Sequence, residues 1–364
     1  MFGNIFKIRP KKFLGIDIGT SAIKIVELRR KGGRLILQNY GELEISYPEE
    51  RSFRSFDNGS LMLSDADIAM AVKSVCQEAK IQTKEVNFSI PDFSTFFTTF
   101  KLPIMTADEV PEAIKYEVRP HIPLPLSEIT LDWLITEGQA SKTPLKVLVV
   151  AIPNDVINQY QQIAAASNLK LKALEPEVFA LARSLNFLIG GGNGRLTAAL
   201  IDIGARSTTC SILSSGVLKI SHSFNLGANE LTSALAKSLN IDYNKAEELK
   251  KKYGIAETGS NFEKVQQNIK DVLTPLIDEL LSESKKIFRD FYSREGKEVQ
   301  KVILAGSTSF LPGLKDYFSK DLEKEVMIAN PFSNISYPAV LAQTLEAKGP
   351  SYAIAVGLAL KGYE

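Results

Sequence analysis

The tetrapeptide Ile-Asp-Ile-Gly occurs twice in this chain, at Ile16–Gly19 and at Ile201–Gly204, half a chain apart. Each copy closes an apolar run and opens into Ser- and Thr-containing sequence. A strand that ends in Asp and turns through Gly presents one carboxylate and a row of backbone N–H groups at its tip, where phosphate or a phosphate-bound metal can sit. Taken singly, either copy reads as an ordinary turn, because Asp and Gly are common turn residues. Two copies in matched context point instead to two strand tips facing one nucleotide across a cleft between two domains.

The 364 residues, 45% of them hydrophobic, suffice for a large core and two or more domains. Lys and Arg total 43 against 42 for Asp and Glu, which leaves no basic field to make nucleic acid the default partner. Cys76 and Cys210 are the only cysteines, and His121 and His222 the only histidines. Neither a disulfide framework nor a thiolate or His-based metal site is therefore expected, and a reducing cytoplasm fits. No run approaches the roughly 18 apolar residues of a membrane span. Met1–Lys12 lacks the apolar core of a signal peptide, so the chain is expected to be neither inserted nor exported. That segment mixes Phe2, Ile5, Phe6 and Ile8 with Lys7, Arg9, Lys11 and Lys12, and reads either as a solvated terminus or as a stretch resting on an anionic membrane surface.

Apolar periodicity predicts strands at Phe13–Asp17 and Ile23–Leu28 flanking the first turn as a hairpin, a helix after Ser64, and a strand through Val86, Phe88 and Ile90. The pattern then changes. From Phe93 to about Leu174 we expect an inserted α+β unit: a strand Phe96–Leu102, a helix opened by a Thr106/Glu109 capping box, strands Leu131–Ile135 and Val147–Ile152, a helix through Tyr160 and Ile163, and a closing strand Leu171–Glu175. Pro111 should cost the first of these helices one backbone hydrogen bond, and the Arg119–Pro125 run should end it. A helix after Pro176 and the Gly190–Gly194 linker close the first half. The second half repeats the opening with strands Thr197–Asp202, Thr208–Leu213 and Val217–Phe224, then a long helix near Val265–Ser293, a strand Lys301–Leu304 and a last helix Ile354–Leu360. The corresponding division is a segment 1–12, a first domain of 13–92 and 175–190, an inserted subdomain 93–174, a second domain 195–350, and a C-terminal helix within 351–364 that returns to the first domain.

Hairpin phosphate turns in both halves, followed by a late strand entering Ala305–Gly313, resemble the actin-like ATPase superfamily over nearly the whole chain. The resemblance implies an α/β, actin-like (ribonuclease H-like) two-domain fold with an inserted FtsA-type α+β subdomain. It implies that ATP with Mg²⁺ is held by Asp17, Gly19, Thr20, Ser21 and Lys24 of the first motif and by Asp202, Gly204, Ala205, Arg206 and Ser207 of the second. Gly306, Ser307 and Thr308 match its adenosine motif. Asp17 and Asp202 would hold Mg²⁺ mostly through water, since that ion dehydrates reluctantly, and Lys24 would neutralise charge on the γ-phosphoryl group. Glu175, just before Pro176, resembles the acidic residue that orients the attacking water in bacterial actin relatives; it also reads as a solvated residue before a helix-starting proline. Glu247 and Lys250, in a stretch that otherwise reads as a solvated helix face, are similar to the nucleotide-facing helix of FtsA.

The sequences Ile114–Glu117, His121–Pro125, Leu131–Trp133 and Gly357–Gly362 narrow the resemblance to the PilM family of type IV pilus assembly. That family implies a cytoplasmic scaffold, peripheral to the inner membrane, that links a pilus membrane complex to its motor ATPases. The implied partner is the short cytoplasmic tail of a PilN-like membrane protein, with Tyr116, Arg119, Ile122 and Pro123 as candidate contacts. Self-association and slow ATP hydrolysis are compatible with this role. PilM-like proteins commonly carry three glycines where this chain has Gly306, Ser307 and Thr308, so two Cβ atoms are added where backbone would pass close to the nucleotide. The alternatives are an FtsA-like division filament, which would need a membrane helix beyond Glu364, a small-molecule kinase of the same superfamily, which would need a separate substrate base, and the cytoplasmic domain of a type II secretion protein.

Overall fold

The computed structural model describes residues 12–44, 64–190, 196–256 and 264–363. The N-terminal segment 1–11 and the Gly-rich run from Gly191 lie outside them. β1 (Lys12–Ile18), β2 (Ala22–Lys31) and β3 (Arg34–Glu44) form an antiparallel meander in which Asp17 sits opposite Lys24. α1 (Asp65–Glu78) follows, its start fixed by the Ser64 hydroxyl, which accepts from the Asp67 N–H. β4 (Glu85–Ile90) then runs parallel to β1.

The chain next leaves this sheet for a smaller one. β5 (Phe96–Leu102), α2 (Val110–Glu117), β6 (Ile129–Glu137) and β7 (Leu145–Pro153) make a three-stranded sheet of order β5-β7-β6, against which α2 buries Val110 and Ile114. The Glu109 carboxylate accepts from the Thr106 N–H at 2.7 Å and from its hydroxyl at 2.8 Å, but the helix starts only at Val110. Pro111 therefore falls in the first turn. Contrary to the sequence expectation it costs no backbone hydrogen bond, because N–H groups there have no intrahelical acceptor.

α3 (Asn154–Ala166) and β8 (Lys170–Pro176) were expected to complete the small unit, and they do not. β8 pairs in parallel with β4, while Tyr160, Ile163 and Ala164 of α3 pack on Ile68, Val72 and Phe88. Both elements belong to the first sheet, and the excursion ends with β7. α4 (Glu177–Ser184) and α5 (Asn186–Gly190) follow.

β9 (Thr197–Ile203), β10 (Thr208–Ser214) and β11 (Val217–Phe224) repeat the meander. α6 (Ala228–Leu239), α7 (Tyr243–Tyr253) and α8 (Lys264–Glu295) cover one face, the last burying Ile269, Leu273, Ile277 and Leu280 at helical spacing. β12 (Lys301–Ala305) runs parallel to β9, and after α9 (Leu314–Leu322), β13 (Glu325–Ile328) runs parallel to β12. The order β11-β10-β9-β12-β13 thus matches β3-β2-β1-β4-β8, and β14 (Ile335–Ser336) extends the first sheet beyond β3. The repeated tetrapeptide marks equivalent strands of two sheets with one topology.

After α10 (Ala342–Lys348), α11 (Ala353–Lys361) closes the chain between the two sheets. Ala353, Ile354 and Leu358 share a cluster with Ala180 and Leu181 of α4 and with Leu200 and Ile303 of the second sheet, while Ala355, Val356 and Ala359 pack on Val26 and Leu28 of the first. The Asn87 side-chain amide donates to the Leu358 carbonyl at 2.9 Å, which ties the helix to β4.

Candidate functional site

The two Asp-bearing strand tips end in the same turn. The Gly19 N–H donates to the Ala22 carbonyl at 2.8 Å, and the Gly204 N–H donates to the Ser207 carbonyl at 2.9 Å. Both tips open into one cavity of about 550 Å³, a volume suited to a nucleotide-sized ligand. Asp17 is held by the buried Ser89 hydroxyl, which donates to its Oδ1 at 2.7 Å. Parallel pairing sets Ala305 of β12 beside Asp202, so the residue after β12 must turn tightly over the second tip. That residue is Gly306, at φ +82°, where an added Cβ would come within 2.3 Å of the Ile203 carbonyl oxygen and 2.6 Å of Asp202 Oδ1. No larger residue fits this crossing.

Most of the residues predicted for the nucleotide line this one cavity. Asp17, Gly19, Thr20, Ser21 and Lys24 come from the first tip, Asp202, Gly204, Ala205 and Ser207 from the second, Glu247 and Lys250 from α7, and Gly306, Ser307 and Thr308 from the loop after β12. Arg206 is not among the lining residues. Its charge acts on Glu230, whose carboxyl burial nonetheless pushes above the usual range.

Glu175 does not line the cavity either, which corrects the expectation that it positions water. Its carboxylate is taken up by the Arg183 guanidinium, through Nη1 to Oε1 and through Nη2 to Oε2 at 3.0 Å, and by Lys361 Nζ at 2.9 Å from Oε2. It therefore ties β8 to α4 and α11. Of the two carboxylates flanking Pro176, the one that lines the cavity is Glu177, the first residue of α4, whose Oε2 accepts from the Asp92 N–H at 3.4 Å. The sequence reading also missed Asn229, Tyr243 and Phe310 on the cavity wall. The Tyr243 hydroxyl donates to Asn229 Oδ1 at 3.1 Å, joining α7 to α6.

The buried Lys250 pairs with the partly exposed Glu247, Nζ to Oε2 at 2.6 Å, and also donates to Thr232 Oγ1 at 2.7 Å and to the Ala228 carbonyl at 3.1 Å. Burial works against both charges. Pairing prevails at Glu247, whose carboxyl is held below its usual range by the Lys250 charge and hydrogen bonds. Burial moves Lys250 downward, with Glu247 opposing it.

The donor set fits a metal–polyphosphate ligand. Asp17 and Asp202 at the two strand tips, Lys24 opposite Asp17 and glycine-bounded turns suit Mg²⁺ bound to phosphate, and no group of three or more His, Cys, Asp or Glu among the described residues forms a site for a metal without such a ligand.

The expected partner residues lie elsewhere, on the small sheet's unit. Tyr116 is 70% exposed, with the Arg119 guanidinium 6.0 Å from its ring centroid, and Pro123 is exposed nearby. Ile122 departs from expectation: it is buried with Ile114 and Val118 and serves the core of that unit. Among the described residues no helix is long and apolar enough to cross a membrane.

A family model described as type IV pilus assembly protein PilM matches residues 15–363. A solved PilM-PilN type IV pilus biogenesis complex contains a chain 24% identical, with a TM-score of 0.83 over 98% of this chain and 100% of that one. The ethanolamine utilization protein EutJ of Carboxydothermus hydrogenoformans is 16% identical with a TM-score of 0.58, covering 97% of this chain and 90% of that one. MreB 5 of Spiroplasma citri bound to AMPPNP is 14% identical with a TM-score of 0.53, covering 98% and 96%. Cell division protein FtsA of Enterococcus faecalis is 22% identical over 360 residues, 88% of this chain and 78% of that protein. The Rhizobium meliloti FtsA match, 28% identical over 181 residues, spans 45% of this chain and 40% of that protein. The fold is that of the actin-like proteins.

Proposed function

The chain belongs to the type IV pilus assembly protein PilM family, and from that premise we propose that it is a cytoplasmic scaffold that binds ATP with Mg²⁺ and links a pilus inner-membrane complex to its machinery. The observation that carries the nucleotide half is the convergence of two matched Asp-x-Gly turns on one cavity, with Lys24 beside them. The AMPPNP bound to the similarly folded MreB 5 supports the same reading. Asp17 and Asp202 would hold Mg²⁺ largely through its waters, and the turn N–H groups and Lys24 would meet the phosphates. Because Glu177 lines the cavity and Glu175 does not, any water-positioning role falls to Glu177 in this reading. With α4 and α11 lying between the sheets and lining the cavity at Leu181, Ala353 and Ile354, bound nucleotide can bias how the two lobes close without turnover.

The partner half rests on the complex in which a chain of this fold is paired with PilN. In our reading a PilN-like cytoplasmic tail docks on the small sheet's unit around Tyr116, Arg119 and Pro123, so the chain is peripheral to the membrane through that tail. Contacts with pilus motor ATPases and self-association extend the same proposal. The test is a pull-down with short N-terminal peptides of membrane proteins encoded beside this gene, with and without ATP. Capture of one peptide, weakened by Tyr116→Ala, is expected. No peptide captured in either condition would sink the scaffold reading while leaving nucleotide binding intact.

A further inference from the structure

The cations of this chain gather at one end of the first sheet, the end away from the cavity. There β2 and β3 meet at Gly32 and Gly33, flanked by the exposed Arg30, Lys31 and Arg34. Lys12 starts the neighbouring β1 opposite Arg29, and its Nζ donates to Gln82 Oε1 at 3.2 Å, so the loop between α1 and β4 stands at the same end with the exposed Lys80 and Lys84. The Lys170 N–H donates to the Lys84 carbonyl at 2.7 Å, which adds the exposed Lys170 at the start of β8. Among the described residues these six exposed cations form no ion pair. The acidic groups nearby are mostly taken. Glu27 is fully buried, accepts from the Asn39 side chain at 2.7 Å and the Thr83 N–H at 3.1 Å, and lies 3.8 Å from Lys12. Glu85 pairs with Lys172 at 3.1 Å, which leaves Glu78 at the end of α1 as an exposed carboxylate beside them.

Gathering like charges costs stability through their repulsion, and in a chain of net charge +1 nothing in the overall balance requires it. An anionic surface laid against the cluster offsets that cost. We propose that this end of the first sheet is a direct contact surface for anionic lipid headgroups. It lies at the far end of β1 from Asp17, about 16 Å along the strand, and is made of other residues than the tail-docking Tyr116, Arg119 and Pro123. The sequence leading into Lys12 favours lipid over nucleic acid as the occupant. Phe2, Ile5, Phe6 and Ile8 stand there among Lys7, Arg9 and Lys11, and apolar side chains mixed with cations suit a headgroup boundary better than a phosphodiester backbone. Held both by a partner's tail and by this surface, the chain gains two weak attachments that reinforce each other and fix which end faces the membrane.

Co-sedimentation of the full chain with vesicles, without peptide or nucleotide, provides the test. The wild type is expected to sediment with vesicles of equal parts phosphatidylglycerol and phosphatidylcholine but not with phosphatidylcholine alone, and to be released as salt rises to about 0.5 M. The triple variant Arg30→Gln, Lys31→Gln, Arg34→Gln should bind about fivefold more weakly per charge removed, about a hundredfold in all. A second triple variant, Lys237→Gln, Lys315→Gln, Lys320→Gln, removes the same charge from exposed positions of the second lobe and should bind within about twofold of the wild type. No sedimentation with the anionic vesicles, an equal loss in the two triple variants, or tighter binding to duplex DNA than to the vesicles would each overturn the proposal. Since neither tail peptide nor ATP is present, those results would leave the scaffold and nucleotide readings standing.

Discussion

Replacing Gly357 by Ala tests how closely the two helices between the sheets approach. An ideal Cβ built on Gly357 in α11 lies 1.8 Å from the Ala180 carbonyl oxygen, 2.4 Å from its carbonyl carbon and 2.9 Å from its Cα. All three atoms are backbone of α4, so no rotamer change relieves the overlap. Restoring ordinary contact requires the helices to separate by more than an ångström. That movement strains the Arg183 Nη1 bond to the Gly357 carbonyl at 3.3 Å and the Asn87 bond to the Leu358 carbonyl at 2.9 Å. Two effects oppose each other. Alanine in a helix interior is favoured over glycine by about 1 kcal/mol. Overpacking against fixed backbone costs about 3 kcal/mol, and weakening one buried and one part-buried hydrogen bond adds up to about 1 kcal/mol each. The overlap wins, and a net loss of about 2–4 kcal/mol is expected. Urea unfolding followed by far-UV circular dichroism measures it, with Gly349→Ala as the control, since the nearest atom to its Cβ would be 3.5 Å away. Because Leu181 of α4 and Ala353 and Ile354 of α11 line the cavity, ATP affinity should fall as well. A Gly357→Ala chain as stable as the wild type, or more so, would refute the packing argument.

Glu175→Gln should leave ATP affinity within about twofold but cost about 3 kcal/mol, because it strips a buried carboxylate from Arg183 and Lys361; calorimetry showing lost ATP binding would return Glu175 to the site. Glu247 has a folded-state carboxyl below its unfolded value, so its contribution is fully present above the ordinary carboxylate range near about pH 4.3 and is lost as pH falls through the lower folded value. Glu247→Gln should therefore flatten the acid limb of stability in urea midpoints taken across that range, and an unchanged limb would contradict the pairing with Lys250. Tyr116→Ala should weaken peptide capture with little change in stability, while Ile122→Ala should cost about 2–4 kcal/mol through the cavity it leaves. Equal stabilities for these two chains by thermal unfolding would contradict the burial of Ile122.

Alternation and helical spacing made most elements legible in the sequence, because each is a local consequence of which face is buried. β1 and β2 are read from Leu14, Ile16, Ile23 and Ile25, and α8 from Ile269, Leu273 and Ile277, all fully buried. The partner of β8 was not legible. Parallel pairing with β4 joins strands separated by the whole small sheet, and nothing local in Lys170–Pro176 records which sheet accepts it. The same limit explains Glu175 and Glu177. Glu-Pro-Glu puts two carboxylates across the end of a strand and the start of a helix, and only the positions of Arg183 and Lys361 draw Glu175 into ion pairs away from the cavity. Ser307 and Thr308 are legible as a departure at a glycine-rich turn, but that Thr308 is buried there beside the cavity is a tertiary fact. Asn229, Tyr243 and Phe310 carry no motif of their own and reach the cavity through the packing of α6, α7 and the loop after β12.

The central claim, that two equivalent strand tips grip one nucleotide, is tested most directly by titrating Mg²⁺-ATP into the wild-type chain and into Asp17→Asn and Asp202→Asn. The account predicts one ATP per wild-type chain and a loss of at least about tenfold in affinity in each variant, since either substitution removes one of the two carboxylates placed to hold the metal. No heat of binding at millimolar ATP in the wild type, or undiminished affinity in either variant, would contradict it.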